Sequence, residues 1–118
     1  MVIVLVRTKL RGDANLDAYA ALNTQMEALL RSIPGFVDVN GYGSANGDEI
    51  GIVRFDSLAS LRVWREHPEH REAQARGRAE FYASYRIEVA DIVRAYEFTS
   101  EAGRAVVVDR DPTSLTAM

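Results

Sequence analysis

The chain has 118 residues, 47% of them hydrophobic and 26% charged, which is the size and balance of one compact domain and leaves no room for a second. Lys and Arg total 14 against 17 Asp and Glu, a net charge of −3 without a long basic run, which argues against nucleic acid as a partner. There is no cysteine, so disulfides, thiolate catalysis and Cys-ligated metal centres are excluded, and a reducing, cytoplasmic setting is compatible.

The apolar opening Val2 to Val6 is interrupted by Arg7, far short of the roughly 20 residues of a membrane span, so a soluble protein without a membrane segment is expected. Val2 to Leu10 is rich in β-branched residues and bounded by Arg11-Gly12-Asp13, the pattern of a strand ending in a turn. Tyr19, Leu22, Met26, Leu29, Leu30 and Ile33 then recur at spacings of three and four. That stripe predicts a helix over about Asn15 to Ser32, capped by Asp13 or Asn15 and stopped by Pro34-Gly35.

Phe36 to Gly43 and Glu49 to Phe55 flank a polar loop containing Asn46-Gly47, the signal of a tight β-hairpin. Asp56-Ser57 can cap a second helix whose Leu58, Leu61 and Trp64 share one side. At His67-Pro68 one helix ends and another begins, because proline fits a first helical turn and disfavours helical geometry in the residue before it. That third helix is expected to run from Pro68 to about Ala83. Tyr85 to Phe98 reads as one long strand, with a phase change at Ala90-Asp91 that suggests a bulge. Beyond Thr99 only Val106 to Val108 has strand character, and residues 109–118 carry no periodic pattern.

Strand, helix, strand, strand, helix, strand is the order of the ferredoxin-like βαββαβ unit, an α+β fold with helices on one face of an antiparallel sheet. Hydrophobic residues occupy both phases of the first and third strands, so the other face needs a cover. A second copy of the sheet is the simplest cover, which predicts a homodimer. Val106 to Val108 is then either a segment crossing to the partner or a local edge strand.

Trp64, His67-Pro68-Glu69-His70, Gly77-Arg78, Phe81-Tyr82, Tyr85 and Val93-Arg94-Ala95-Tyr96-Glu97-Phe98 together resemble the antibiotic biosynthesis monooxygenase-like family. The resemblance covers residues 2–98; it divides the chain into a domain over residues 1–98 and a C-terminal extension over residues 99–118. It implies a dimeric α+β barrel with a small-molecule pocket between sheet and helices. It also implies oxidation of a hydroxylated aromatic compound by molecular oxygen without metal, flavin or other cofactor, the deprotonated substrate itself giving electrons to oxygen. The haem-degrading branch of the same family uses an asparagine on the first strand; Val6, Arg7 and Thr8 stand near the end of that strand here.

On this reading Trp64 and Phe81 wall the substrate, Arg7 or Arg54 holds an anionic substrate oxygen, and His70 moves the proton, with Tyr82 and His67 as further binding residues. Each has a plainer reading beside it. Trp64 fits core packing, His67 a helix cap, His70 a solvated turn, the two arginines exposed strand positions, and Tyr82, Tyr85 and Tyr96 rim or interface aromatics. Two histidines three residues apart beside Glu66 and Glu69 make a weak metal signal, and no metal site is expected. Gly41, Gly43 and Gly47 precede no helix, so they form no phosphate loop. Three other functions suit the same cavity: a ligand-binding or stress-related dimer without turnover, and, as minor alternatives, haem degradation and an isomerase whose turnover ignores oxygen.

Overall fold

The computed structural model describes residues 1–110. Its elements in chain order are β1 (Val2–Leu10), α1 (Leu16–Ser32), β2 (Phe36–Gly43), β3 (Glu49–Phe55), α2 (Leu58–Glu66), α3 (Pro68–Arg76), β4 (Tyr82–Asp91), β5 (Arg94–Thr99) and β6 (Gly103–Asp109). The expected α+β class and ferredoxin-like order are present. The first four strands form one antiparallel sheet in the order β2-β3-β1-β4.

Local signals set most boundaries. Asn15 caps α1 by accepting the Ala18 N–H at 3.0 Å, and Ser57 caps α2 by accepting the Ser60 N–H at 3.2 Å. Gly47, in the loop between β2 and β3, has φ +89°, a left-handed conformation that glycine adopts without a Cβ clash. In β1 the residues Val2, Val4, Val6 and Thr8 share one face, since side chains alternate along a strand. Val2 and Val4 are buried with Val53 and Phe55 of β3 against Leu30 and Ile33 of the α1 side and Leu61 of α2. Val6, Phe36, Val39 and Trp64 pack around that cluster, so one sheet face carries the helices and the core.

Two expectations are corrected. The third helix stops at Arg76 and not at Ala83: residues Gly77–Phe81 form a single π turn, and β4 already begins at Tyr82. Arg11, just beyond β1, stitches that turn to the sheet. Its guanidinium donates to the carbonyls of Arg78 at 2.7 Å, Ala79 at 2.8 Å and Tyr82 at 3.1 Å, satisfying groups a helix end leaves without partners. Gly77 permits the arrangement, because a Cβ there would lie 2.5 Å from the Tyr82 ring.

The second correction concerns the long strand. Tyr85 to Phe98 is not continuous, and the chain leaves the sheet at Ile92-Val93 in place of bulging at Ala90-Asp91. β5 pairs with β6 in a separate hairpin, which gives the Val106 to Val108 segment a local partner. Arg110 pairs with Asp91 at its base and holds that carboxyl below the usual carboxylate range by its hydrogen bond. Within the hairpin Tyr96, Phe98, Val106 and Val107 are exposed, Phe98 at 71%. The Cα radius of gyration of 16.6 Å exceeds the roughly 13 Å of a compact domain of about 100 residues, as a projecting hairpin requires. The aperiodic tail expected over residues 109–118 lies, from residue 111 onward, outside the described residues.

Candidate functional site

Between the sheet and the helices runs a cleft of two connected lobes. The inner lobe, about 290 Å³, lies under α2 and α3, with Leu22, Val53, Leu61, His70, Ile87 and Val89 among its walls. The outer lobe, about 640 Å³, opens over the β2–β3 end of the sheet beside α1, with Leu30, Val39, Gly41, Gly51, Glu27 and Glu49 around it. Val6, Thr8, Asn23, Met26, Trp64 and Tyr82 line both lobes and mark where they meet.

Helix α2 delivers Trp64 to this junction because Leu61, one turn earlier, is fixed in the core. The His67-Pro68 break then turns the chain so that His70 returns beside Trp64. Their rings stack with centroids 3.9 Å apart and planes 27° from parallel. Burial, the largest influence, lowers the His70 pKa to about 4, while the carbonyls of Trp64 and Arg65 pull the other way and His67 adds a small repulsion. The imidazole is therefore neutral at pH 7, with one nitrogen able to accept a proton. Its Nδ1 is buried and has no hydrogen-bond partner among the described residues.

Tyr82 enters the cleft from the start of β4. Burial raises its pKa, and the Tyr19 hydroxyl at 3.4 Å and the nearby Glu49 carboxylate reinforce the shift. It remains a phenol at neutral pH and can donate a hydrogen bond. Thr8 is a buried polar residue in the core phase of β1, and Asn23 interrupts the apolar side of α1. Thr8, Asn23 and Tyr82 thus bring hydrogen-bonding groups to a junction otherwise walled by Val6, Met26 and Trp64, the composition expected of a small-molecule site.

The cleft brings Trp64, His70 and Tyr82 together, and Tyr85 joins them on the inner lobe. Four other expected residues lie elsewhere. Arg7 and Arg54 alternate with the helix-facing residues and project from the opposite sheet face. Arg54 is paired there with Asp38 across the strands at 3.3 Å, and Arg7 sits opposite Arg86. Phe81 is 2% exposed and packs on Tyr19 with ring centroids 5.4 Å apart, beneath the Arg76 guanidinium, so it is core and not a pocket wall. His67 caps α3, its Nδ1 accepting the Glu69 N–H at 3.2 Å. Thr8 and Asn23, unforeseen, each carried a signal: a polar residue in the buried phase of an apolar strand and of an apolar helical stripe.

No group of three or more His, Cys, Asp and Glu side chains suited to a metal ion occurs among the described residues. No helix among them is long and apolar enough to cross a membrane.

No family model matches the chain. It is 34% identical over 80 residues to YqjZ of Bacillus subtilis, an uncharacterized protein, the match covering 68% of this chain and 70% of that one. Among solved structures, a candidate antibiotic biosynthesis monooxygenase of Deinococcus radiodurans superposes with a TM-score of 0.72 at 14% identity, over 85% of this chain and 100% of that one. A variant of SnoaB, a cofactor-independent oxygenase from Streptomyces nogalater, superposes with a TM-score of 0.67 at 14% identity, over 80% and 94% of the two chains.

Proposed function

Because the chain belongs to the family of Bacillus subtilis YqjZ and is antibiotic biosynthesis monooxygenase-like in fold, we propose that it oxidises a small hydroxylated aromatic compound with molecular oxygen, without a cofactor, as a homodimer. The observation that carries this reading is the Trp64–His70 stack, which places an aromatic wall beside a neutral, partly buried base. The likeness in fold to SnoaB supports the reaction class.

The mechanism follows from the groups in the cleft. The substrate ring lies against Trp64 in the inner lobe. His70 accepts the phenolic proton, so that imidazolium and phenolate form together as an ion pair in a site of low polarity. The Tyr82 hydroxyl and the Asn23 amide donate to the anionic oxygen, in place of Arg7 and Arg54, which lie on the far face of the sheet. The phenolate then gives electrons to oxygen and a ring carbon bonds to it, His70 returning its proton so that a hydroperoxide forms; the O–O bond breaks as that carbon loses its hydrogen, leaving a quinone carbonyl on the ring and releasing the other oxygen as water, so the substrate is the only reductant.

The dimer is supported by what the sheet leaves uncovered. Ile3, Leu5, Ile50 and Ile52 share the face away from the helices, and Leu5 there is 36% exposed. The exposed apolar residues of the β5–β6 hairpin suit the proposed extension toward a partner subunit. Native mass spectrometry should give twice 13.1 kDa; a lone monomer at micromolar concentration would remove the dimer.

Oxygen consumption with a hydroxylated aromatic, matched by product formation that stops under nitrogen, is the expected result for the reaction. Turnover that continues under nitrogen would replace this reading with an isomerase. Ligand binding without any turnover would replace it with a binding protein.

A further inference from the structure

Tyr82 stands in the cleft against the alternation of its own strand. Along β4, Val89, Ile87 and Tyr85 lie opposite Val4, Val6 and Thr8 and share the helix-facing side. Continued alternation would put Ala83 next on that side and turn Tyr82 to the far one. The pairing instead shifts by one residue: Ser84 lies opposite Lys9, and Tyr82, not Ala83, lies opposite Leu10. Ala83 is thus the extra residue of a β-bulge, a device that re-aims the side chain beside it. Tyr82 therefore reaches both lobes, with its hydroxyl 3.4 Å from that of Tyr19 on α1.

Two residues outside the cleft hold that aim. Arg11 binds the carbonyls of Arg78, Ala79 and Tyr82 through its guanidinium, and its own N–H donates to the Phe81 carbonyl at 2.8 Å. The π turn and the first residue of β4 thus hang on one arginine, and such turns are rare outside functional sites. Gly77 is the other. Its φ of −57° and ψ of −47° are those of an ordinary right-handed helix, where alanine is the more favourable residue. Only the Tyr82 ring calls for glycine: a Cβ would lie 2.5 Å from Cε2 of that ring and 2.9 Å from Cδ2. Neither Arg11 nor Gly77 lines the cleft.

We infer that Arg11 and Gly77 are positioning residues for the Tyr82 hydroxyl. The fork of Arg11 fixes the chain where it enters β4, Gly77 leaves room for the ring, and together they set the hydroxyl where it donates to an anionic substrate oxygen. Neither touches the substrate. The inference rests on the donor role given to Tyr82 above and adds what puts that donor in place.

Its test is binding under nitrogen, without chemistry, of two probes of nearly one shape: 4-nitro-1-naphthol, a coloured anion at pH 8, and its methyl ether, which has no proton to lose. Tyr82→Phe should lose about tenfold or more of the naphtholate affinity, the cost of a hydrogen bond to a charged group, and keep that for the ether within about twofold. Arg11→Met, which removes the donors, and Gly77→Ala, which crowds the ring, should each lose naphtholate affinity by about fivefold or more with the same selectivity. Added to Tyr82→Phe, either change should cost less than about twofold, since the hydroxyl it aims is gone. If Arg11→Met does not fold, Gly77→Ala, at a position whose backbone suits alanine, reads the same aim. Equal weakening of both probes, losses that add to that of Tyr82→Phe, or wild-type naphtholate affinity in Arg11→Met and Gly77→Ala would each overturn the positioning role. Wild type that binds neither probe, or Tyr82→Phe that binds both like wild type, would overturn the donor role and the positioning with it. The selective losses without any oxygen-dependent turnover would overturn the oxygenase reading and leave the positioning standing.

Discussion

Replacing His70 with alanine is expected to lower turnover by about 10²-fold or more, the usual range for losing a general base. The Trp64 ring, stacked on His70 with centroids 3.9 Å apart, would also lose its neighbour, so His70→Gln, which retains bulk and hydrogen bonding but not basicity, is the sharper variant. It should lose about as much activity as alanine while binding substrate with nearly wild-type affinity, because proton transfer belongs to the transition state and packing to both states. A loss below severalfold in either variant would remove His70 from the proton-transfer role. His67→Ala is the control: losing the cap on α3 should cost about 1 kcal/mol of stability and leave kcat unchanged.

The pH dependence distinguishes His70 further. Because its pKa is about 4, kcat/KM should lack an acid limb near pH 6.5, where an ordinary exposed histidine titrates, and fall only toward pH 4. Stability carries the same signature. Between the unfolded value of 6.5 and the folded value of about 4 the unfolded chain binds more protons, so stability falls as pH drops through that window and is unaffected by His70 above it. Thermal melts of His70→Gln should show a shallower decline between pH 6.5 and 4 than wild type; equal slopes would place the titrating group elsewhere.

The sequence carried the architecture where one residue has one physical consequence. Asn46-Gly47 required a reversal between two strands, and Gly47 adopts the left-handed φ that such a turn needs. His67-Pro68 required a break between helices, and α2 ends and α3 begins there. The aromatic and basic residues of that region, Trp64 and His70, consequently reached the cleft. Failures arose where two readings had the same local pattern. Parity separates Arg7 from Val6 and Thr8, but with apolar residues in both phases of β1 it does not say which side faces the helices. Ala73, Gly77 and Phe81 fit a continuing helix equally well, and only Arg11, distant in sequence, shows why the last turn widens and β4 starts early.

The largest effect on stability is expected at Phe55. Its side chain is 0% exposed, the most enclosed in the described chain, set between the sheet and the helices and edge-on to Phe36 at 6.2 Å. Truncation to alanine removes its burial and leaves a cavity that neighbouring strands, held by paired backbones, close only in part; the cost should be about 3–5 kcal/mol. Against a typical total of about 5–15 kcal/mol, that leaves a marginal protein. The melting midpoint should fall by roughly 9–30 °C, given about 3–6 °C per kcal/mol for a domain of this size. Phe55→Leu, which keeps most of the volume, should cost less than half as much. Phe55 does not line the cleft, whereas its core neighbours Val53 and Leu61 do. At temperatures well below its midpoint, Phe55→Ala should therefore retain turnover within severalfold of wild type, in contrast to His70→Gln, which should melt near wild type at pH 7 and yet turn over slowly. A Phe55→Ala protein that loses less than about 1 kcal/mol would show that this part of the core collapses around the missing ring.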